Sequence, residues 1–165
     1  MIIARYKMFI SYKNYFRILF IALILFNLKQ IHAYDIQKNV WKHLTTNKGR
    51  RDNSVCTTIS TSSSTSNVVL ICGGEYRSDC QVYDPMTDEW KGIEGRIPRD
   101  LWHSTMITAP IQSKYAAFIL GGFSFNKQYS NQIYGVTKDL SSVKMLGNFK
   151  KARAYHVALR TNNMC

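Results

Sequence analysis

Val68-Val69-Leu70-Ile71-Cys72-Gly73-Gly74 returns 48 residues later as Ala116-Ala117-Phe118-Ile119-Leu120-Gly121-Gly122. Each apolar run is too short for a stable helix and rich in β-formers, so each reads as a buried strand. Two successive glycines let the backbone turn through positive φ and let a neighbouring segment approach closely. A stretch of this kind that recurs at fixed spacing predicts a repeated β unit.

Other landmarks keep nearly the same period. Tyr34-Asp35, five residues, then Trp41-Lys42 recurs at an offset of 49 as Tyr83-Asp84, five residues, then Trp90-Lys91. A weaker copy starts at Tyr134, 51 residues further on, with Ser141 at the Trp position. Nine residues after each Trp position stands a cation: Arg50, Arg99 and Lys150. His103-Ser104-Thr105-Met106-Ile107 is echoed by His156-Val157-Ala158-Leu159. Asp84-Pro85-Met86-Thr87-Asp88 reads as a turn, with Pro fixing φ and Asp bonding the backbone. A strand centred on Trp90 follows, and His103–Ile107 opens the next unit. Four short strands in about 50 residues make one antiparallel sheet that cannot bury both faces alone, and radial stacking of such sheets is the usual solution.

An apolar run, Gly-Gly, a Tyr about ten residues later and a Trp seven after that resembles the kelch repeat. The resemblance covers residues 34–165 and is carried by Gly73, Gly74, Tyr83, Trp90, Gly121, Gly122 and Tyr134, with a departure at Ser141. It implies an all-β chain of antiparallel four-stranded blades forming an incomplete β-propeller. It also implies a non-catalytic scaffold whose inter-strand loops present a partner-recognition face, with no cofactor. The expected divisions are a partial blade at 34–53, blades at 54–101 and 102–151, and the start of a further blade at 152–165. Such a chain has eleven strands, with the last at 152–160. Rings of this family close with roughly 4–8 blades, so a fragment is expected, or open blade edges that self-associate.

Residues 1–33 are set apart from this unit. Arg5, Lys7, Lys13 and Arg17 precede an unbroken apolar run from Ile18 to Phe26, extended by Leu28, and Ala33 follows a short polar tail. This pattern describes a secretory signal cleaved after Ala33; its apolar core is well short of the roughly 20 residues a membrane span needs. The alternative is an uncleaved, helical signal anchor. Of the formal charge of +12, residues 1–33 supply five cations and no acid. Secretion and the reduced charge of the remainder argue against a nucleic-acid partner, despite the overall basicity.

Arg50, Arg51, Arg99, Lys150, Lys151 and Arg153 precede the first strands of successive blades and are expected to gather on one rim. Such a rim could hold an acidic peptide or glycan through charge-assisted hydrogen bonds. The structural alternative is solvated loop charge, or arginines bonded to backbone. Cys72 and Cys80 end and begin neighbouring strands and are candidates for a disulfide; Cys56 and Cys165 have no evident partner. No CxxC pair chelates zinc. His43, His103 and His156 with a Tyr-rich composition leave a galactose-oxidase-like copper site as the enzymatic alternative, although no nucleophile–base or carboxylate pair stands out. Thr57–Ser66 is a Ser/Thr run broken only by Ile59, expected at a polar hairpin tip with weak potential for O-glycosylation. No Asn-x-Ser/Thr acceptor occurs.

Overall fold

A computed structural model describes residues 31–35, 39–44, 51–60, 67–98, 101–124, 126 and 128–159. Those residues contain ten strands and no helix. The apolar run Ile18–Leu28, Arg50, Arg99, Ser62–Ser66 and Cys165 lie outside them. The chain divides into two units, residues 1–50 and 51–165. Arg51–Asn53 thus fall in the second unit, with the sheet they precede.

The described part of the first unit is an antiparallel hairpin of β1 (Ile31–Asp35) and β2 (Val40–Leu44). Tyr34 lies opposite Trp41 across it. The expected signal boundary after Ala33 falls inside β1, between the pairs Ala33–Lys42 and Tyr34–Trp41.

The second unit holds two four-stranded antiparallel meanders. The first is β3 (Val55–Ser60), β4 (Asn67–Cys72), β5 (Cys80–Asp84) and β6 (Glu89–Ile93), hydrogen-bonded in that order. The second repeats the order with β7 (Thr105–Thr108), β8 (Tyr115–Phe123), β9 (Tyr129–Thr137) and β10 (Val143–Asn148). The two sheets meet along their first strands, β3 against β7, where Thr108 Oγ1 donates to the Thr58 carbonyl at 3.4 Å. At the outer edge Val143 N donates to Glu94 O at 2.9 Å and Glu94 N to Ser141 O at 3.0 Å. One apolar core runs through both sheets, with Leu70, Ala117, Ile119 and Val136 fully buried.

The Tyr/Trp landmark is a cross-strand pair. Tyr83 faces Trp90 across the β5–β6 hairpin with ring centroids 5.0 Å apart, the register that Tyr34 and Trp41 share. Asp84 Oδ1 accepts from Met86 N at 2.8 Å, which closes the turn the sequence marks with Asp-Pro. Asn39 and Asp88 both adopt positive φ, 54° and 58°, just ahead of the returning strand.

Three sequence expectations need correcting. Ser141 does not take the Trp position, because the β9–β10 hairpin is longer: its turn lies at 138–141 and Met145 faces Tyr134. Thr57–Ser60 belong to β3, so the Ser/Thr run begins in a strand and not at a hairpin tip. The strand expected at 152–160 is not formed over 152–159: residues of β7, β8 and β9 bond Arg153 and His156 singly, but no strand pairs with that segment among the described residues.

The glycine pairs explain the period. A Cβ on Gly74 would lie 2.9 Å from Asp52 O and one on Gly122 3.0 Å from Trp102 O, so the second glycine packs on the loop leading into its own sheet. A Cβ on Gly73 would meet Leu101 O at 3.3 Å, and one on Gly121 would collide with Arg153 O, so the first glycine packs on the loop after its sheet. Gly121 also has φ +58°, a region that costs non-glycine residues about 1–2 kcal/mol. Gly121→Ala is therefore expected to destabilise the protein by about 2–4 kcal/mol in urea unfolding, with the collision added to the backbone cost. Gly92→Ala, where nothing lies within 4 Å of the new Cβ, should change stability by less than about 0.5 kcal/mol. Equal effects of the two substitutions would refute the junction role of Gly121.

Candidate functional site

Three loops enter the junctions: Arg51–Asn53, Leu101–His103 and Arg153–Tyr155. Each ends on a non-glycine residue in the left-handed region, Asn53 at φ 56°, His103 at 50° and Tyr155 at 53°. This aligns Tyr155, not His156, with His103, so the echo of histidines in the sequence is one residue out of structural register. The cation landmark slips for the same reason. Arg50, Arg99 and Lys150 stand three, four and five residues ahead of these turns, because connections from the outer strands differ in length.

Two residues before each turn the three loops carry Arg51, Leu101 and Arg153. Arg51 has its side chain only 3% exposed. Its NH1 donates to Gly73 O at 3.0 Å and Asp79 O at 3.2 Å, and its NH2 bonds the Asp79 carboxylate. Arg77 also pairs with Asp79, Nε to Oδ1 at 3.1 Å, and Gln81 Nε2 donates to Asp79 at 3.3 Å. Burial opposes ionisation of Asp79, but the charges of Arg51 and Arg77 outweigh it and hold the carboxyl below its ordinary range. Cys72 and Cys80, opposed at the ends of β4 and β5 with Cα atoms 4.1 Å apart, are joined as a disulfide. Disulfide and arginine therefore close the same loop from two sides. Leu101, by contrast, is a buried apolar plug, 1% exposed, seated on Gly122.

The third loop keeps its cations outside. Lys150, Lys151 and Arg153 are exposed, and the Arg153 guanidinium lies 4.6 Å from the Phe149 ring centroid. The Arg153 backbone is pinned, with its N–H donating to Ser130 O at 3.0 Å and its carbonyl accepting from Gly122 N at 2.8 Å. Tyr155 stacks on His103, centroids 4.0 Å apart, and donates its N–H to His103 O at 3.1 Å. Both ring nitrogens of His156 are buried without a hydrogen-bond partner. Burial lowers the pKa of His103; burial, and then the charge of Arg153, lowers that of His156.

The structure brings Lys150, Lys151 and Arg153 together on one exposed loop. Arg51, grouped with them from sequence, is withdrawn into the Asp79 network and bonded to backbone. His103 and Tyr155 come into contact, while His43 is in the separate hairpin unit. Among the described residues no three His, Cys, Asp or Glu side chains are placed to hold a metal ion. Cys56 is an unpaired, half-buried thiol whose pKa is pushed up by desolvation, which disfavours the nucleophilic thiolate. The Arg51–Asp79 bond was not visible in the sequence, because its partners are 28 residues apart and the second sheet has no equivalent. No protein-family model matches the chain, and no curated protein sequence is similar to it.

Arg51→Gln removes three hydrogen bonds and leaves Asp79 with Arg77 and Gln81, so it is expected to cost about 2–4 kcal/mol in chemical denaturation. Lys150→Gln, at an exposed position, should stay within about 0.5 kcal/mol of wild type. The histidines add a pH dependence of defined sign. While both folded and unfolded chains are neutral at these imidazoles, they contribute no pH slope. As pH falls below the free value of 6.5, the unfolded chain takes up protons first and stability drops. Between about pH 7.5 and about pH 5 the wild-type melting temperature should fall more than that of His103→Asn/His156→Asn; parallel slopes would exclude this linkage.

Proposed function

We propose that the chain is a secreted, non-catalytic protein-interaction module built from kelch-type propeller blades, whose junction loops take an acidic peptide or glycan. The supporting observation is the clustering of Lys150, Lys151 and Arg153 on an exposed loop whose backbone is fixed by hydrogen bonds to Ser130 and Gly122. Cations held on a pinned backbone lose less freedom on binding than cations on a mobile tail. The repeating meanders and paired glycines support the blade reading, since each sheet is closed by the loop that starts the next. Kelch-type scaffolds leave recognition to such loops, so the partner is set by their side chains and not by the fold.

Full chain titrated with an oligoglutamate peptide and with a sulfated heparin oligosaccharide tests this reading. At least one probe should bind in a salt-sensitive manner, and Lys150→Glu/Lys151→Glu should weaken it tenfold or more. The probe that binds identifies the acidic chemistry as peptide or glycan. Absence of salt-sensitive binding to both, or binding that ignores the charge reversal, would reject the site. Expression in a secretory cell line followed by N-terminal sequencing tests the export reading: release with Tyr34 first supports it, and retention of residues 1–33 on membranes supports the signal anchor.

A further inference from the structure

Charge is divided unevenly between the two sheets. From Arg51 to Asp100 the sequence holds five cations and eight acids; from Leu101 to Leu159 it holds seven cations and one acid, Asp139. Asp139 lies in the turn after β9, where its carboxylate already accepts from the N–H and Oγ of Ser141 at 3.1 and 2.8 Å. Tyr129 opens β9 at the other end, and the nine residues of that strand span about 26 Å. That is roughly three Debye lengths at physiological salt, so Asp139 does little to offset positive charge at the Tyr129 end.

At that end Arg153 is bonded to the residue after Tyr129. Its N–H donates to Ser130 O at 3.0 Å, and its carbonyl accepts from Gly122, which lies opposite Ser130. Lys150 and Lys151 precede it on the same exposed loop. The next pair along β8 and β9 is aromatic. Tyr129 faces Phe123 with ring centroids 5.3 Å apart, and Phe123 packs on Trp102 at 6.5 Å. Reciprocal backbone hydrogen bonds of 2.7 and 2.8 Å join Trp102 to Phe123. Trp102 and Phe123 are half-buried, and Tyr129 ends the row 57% exposed. Among the described residues, the loops at this end of the second sheet carry no acid. The first sheet differs at its matching end, where Asp79 pairs with Arg51 and Arg77 and a disulfide closes the loop.

Resting on the reading of Lys150, Lys151 and Arg153 as an acidic-ligand site, we propose that its ligand is a sulfated glycan, with one sugar ring lying on Tyr129 and its anionic groups on the three cations. A carboxylate-rich peptide uses the cations and leaves the aromatic row without a role. A pyranose ring has an apolar C–H face that packs on an aromatic ring, and it carries its anionic groups at the edge, so it engages both. Tyrosine offers a broad amphipathic surface with only two side-chain torsions to fix, and the Phe123 contact restrains it before any ligand arrives. The cations add charge-assisted hydrogen bonds to the anionic oxygens. A single-stranded nucleic acid also presents rings and charge together, and the test below separates it from a glycan.

The full chain is titrated with a heparin oligosaccharide, an oligoglutamate and an oligothymidylate, each fluorescently labelled. The heparin oligosaccharide should bind more tightly than the other two. Tyr129→Ala should weaken it by about fivefold or more, the effect of losing one aromatic contact, while Tyr129→Phe stays within about twofold of wild type. Salt separates the contributions: Lys150→Glu/Lys151→Glu should flatten the dependence of affinity on ionic strength, and Tyr129→Ala should leave it unchanged. In the wild-type protein, bound oligosaccharide should shield Tyr129 from nitration and leave Tyr76, 61% exposed in the first sheet's disulfide-closed loop, reactive. That readout needs no variant to fold. Oligoglutamate binding as tightly as the oligosaccharide rejects the glycan and keeps the acidic-ligand reading, whereas no salt-sensitive binding to any probe rejects both. Oligothymidylate binding as tightly as the oligosaccharide overturns the proposal in favour of a nucleic acid. An unshielded Tyr129, or affinity indifferent to Tyr129→Ala, also overturns it.

Discussion

The unit from Arg51 onward depends on a backbone carbonyl lying where a Cβ would otherwise be. Each glycine pair is held between two loops, the one that opens its sheet and the one that opens the next. A Cβ at Gly74 or Gly121 collides with peptide backbone, which cannot rotate away as a flexible side chain can; at Gly73 and Gly122 it first meets the Ile97 and Leu101 side chains, with a loop carbonyl close behind. The apolar core then runs through both sheets because their first strands are brought side by side. Burial of Leu70, Ile119 and Val136 supplies much of the driving force, but the glycine junctions fix which strands meet.

The same loop position is stabilised by three different chemistries. Arg51 fastens its loop with a buried guanidinium that bonds two carbonyls and a carboxylate, a stabilising arrangement only because its donors find acceptors. Leu101 does the equivalent work by filling an apolar space against Gly122, which needs no partner set. Arg153 keeps its charge outside, its guanidinium resting on Phe149 while its backbone makes the junction bonds. The conserved element across the repeat is thus main-chain geometry, and side chains are free to differ.

This explains which features the sequence made legible. The glycine pairs, the Tyr–Trp spacing and the Asp-Pro turn are short-range patterns fixed by local geometry, and each marks a strand or hairpin of the structure. Reading His103 against His156 failed because side-chain identity is a poor guide where the shared property is a left-handed turn adopted by Asn53, His103 and Tyr155. Ser141 was misplaced because the β9–β10 arm is longer than its counterpart, and a fixed offset cannot register a hairpin that lengthens. The cationic landmark mixed one structural arginine with exposed neighbours, since charge alone carries no information about burial. Asp79, the residue that decides the fate of Arg51, belongs to no repeat at all.

Placement of charge follows from these differences. A strongly basic chain could spread its cations evenly, but here Arg51 is withdrawn into its sheet while Lys150, Lys151 and Arg153 remain outside on a loop whose backbone cannot drift. Exposed charge is screened by salt, whereas a buried pair such as Arg51–Asp79 is screened much less, so the two sets of cations answer to different conditions: salt acts on what the exposed loop can attract and leaves the network that fastens the first loop largely untouched.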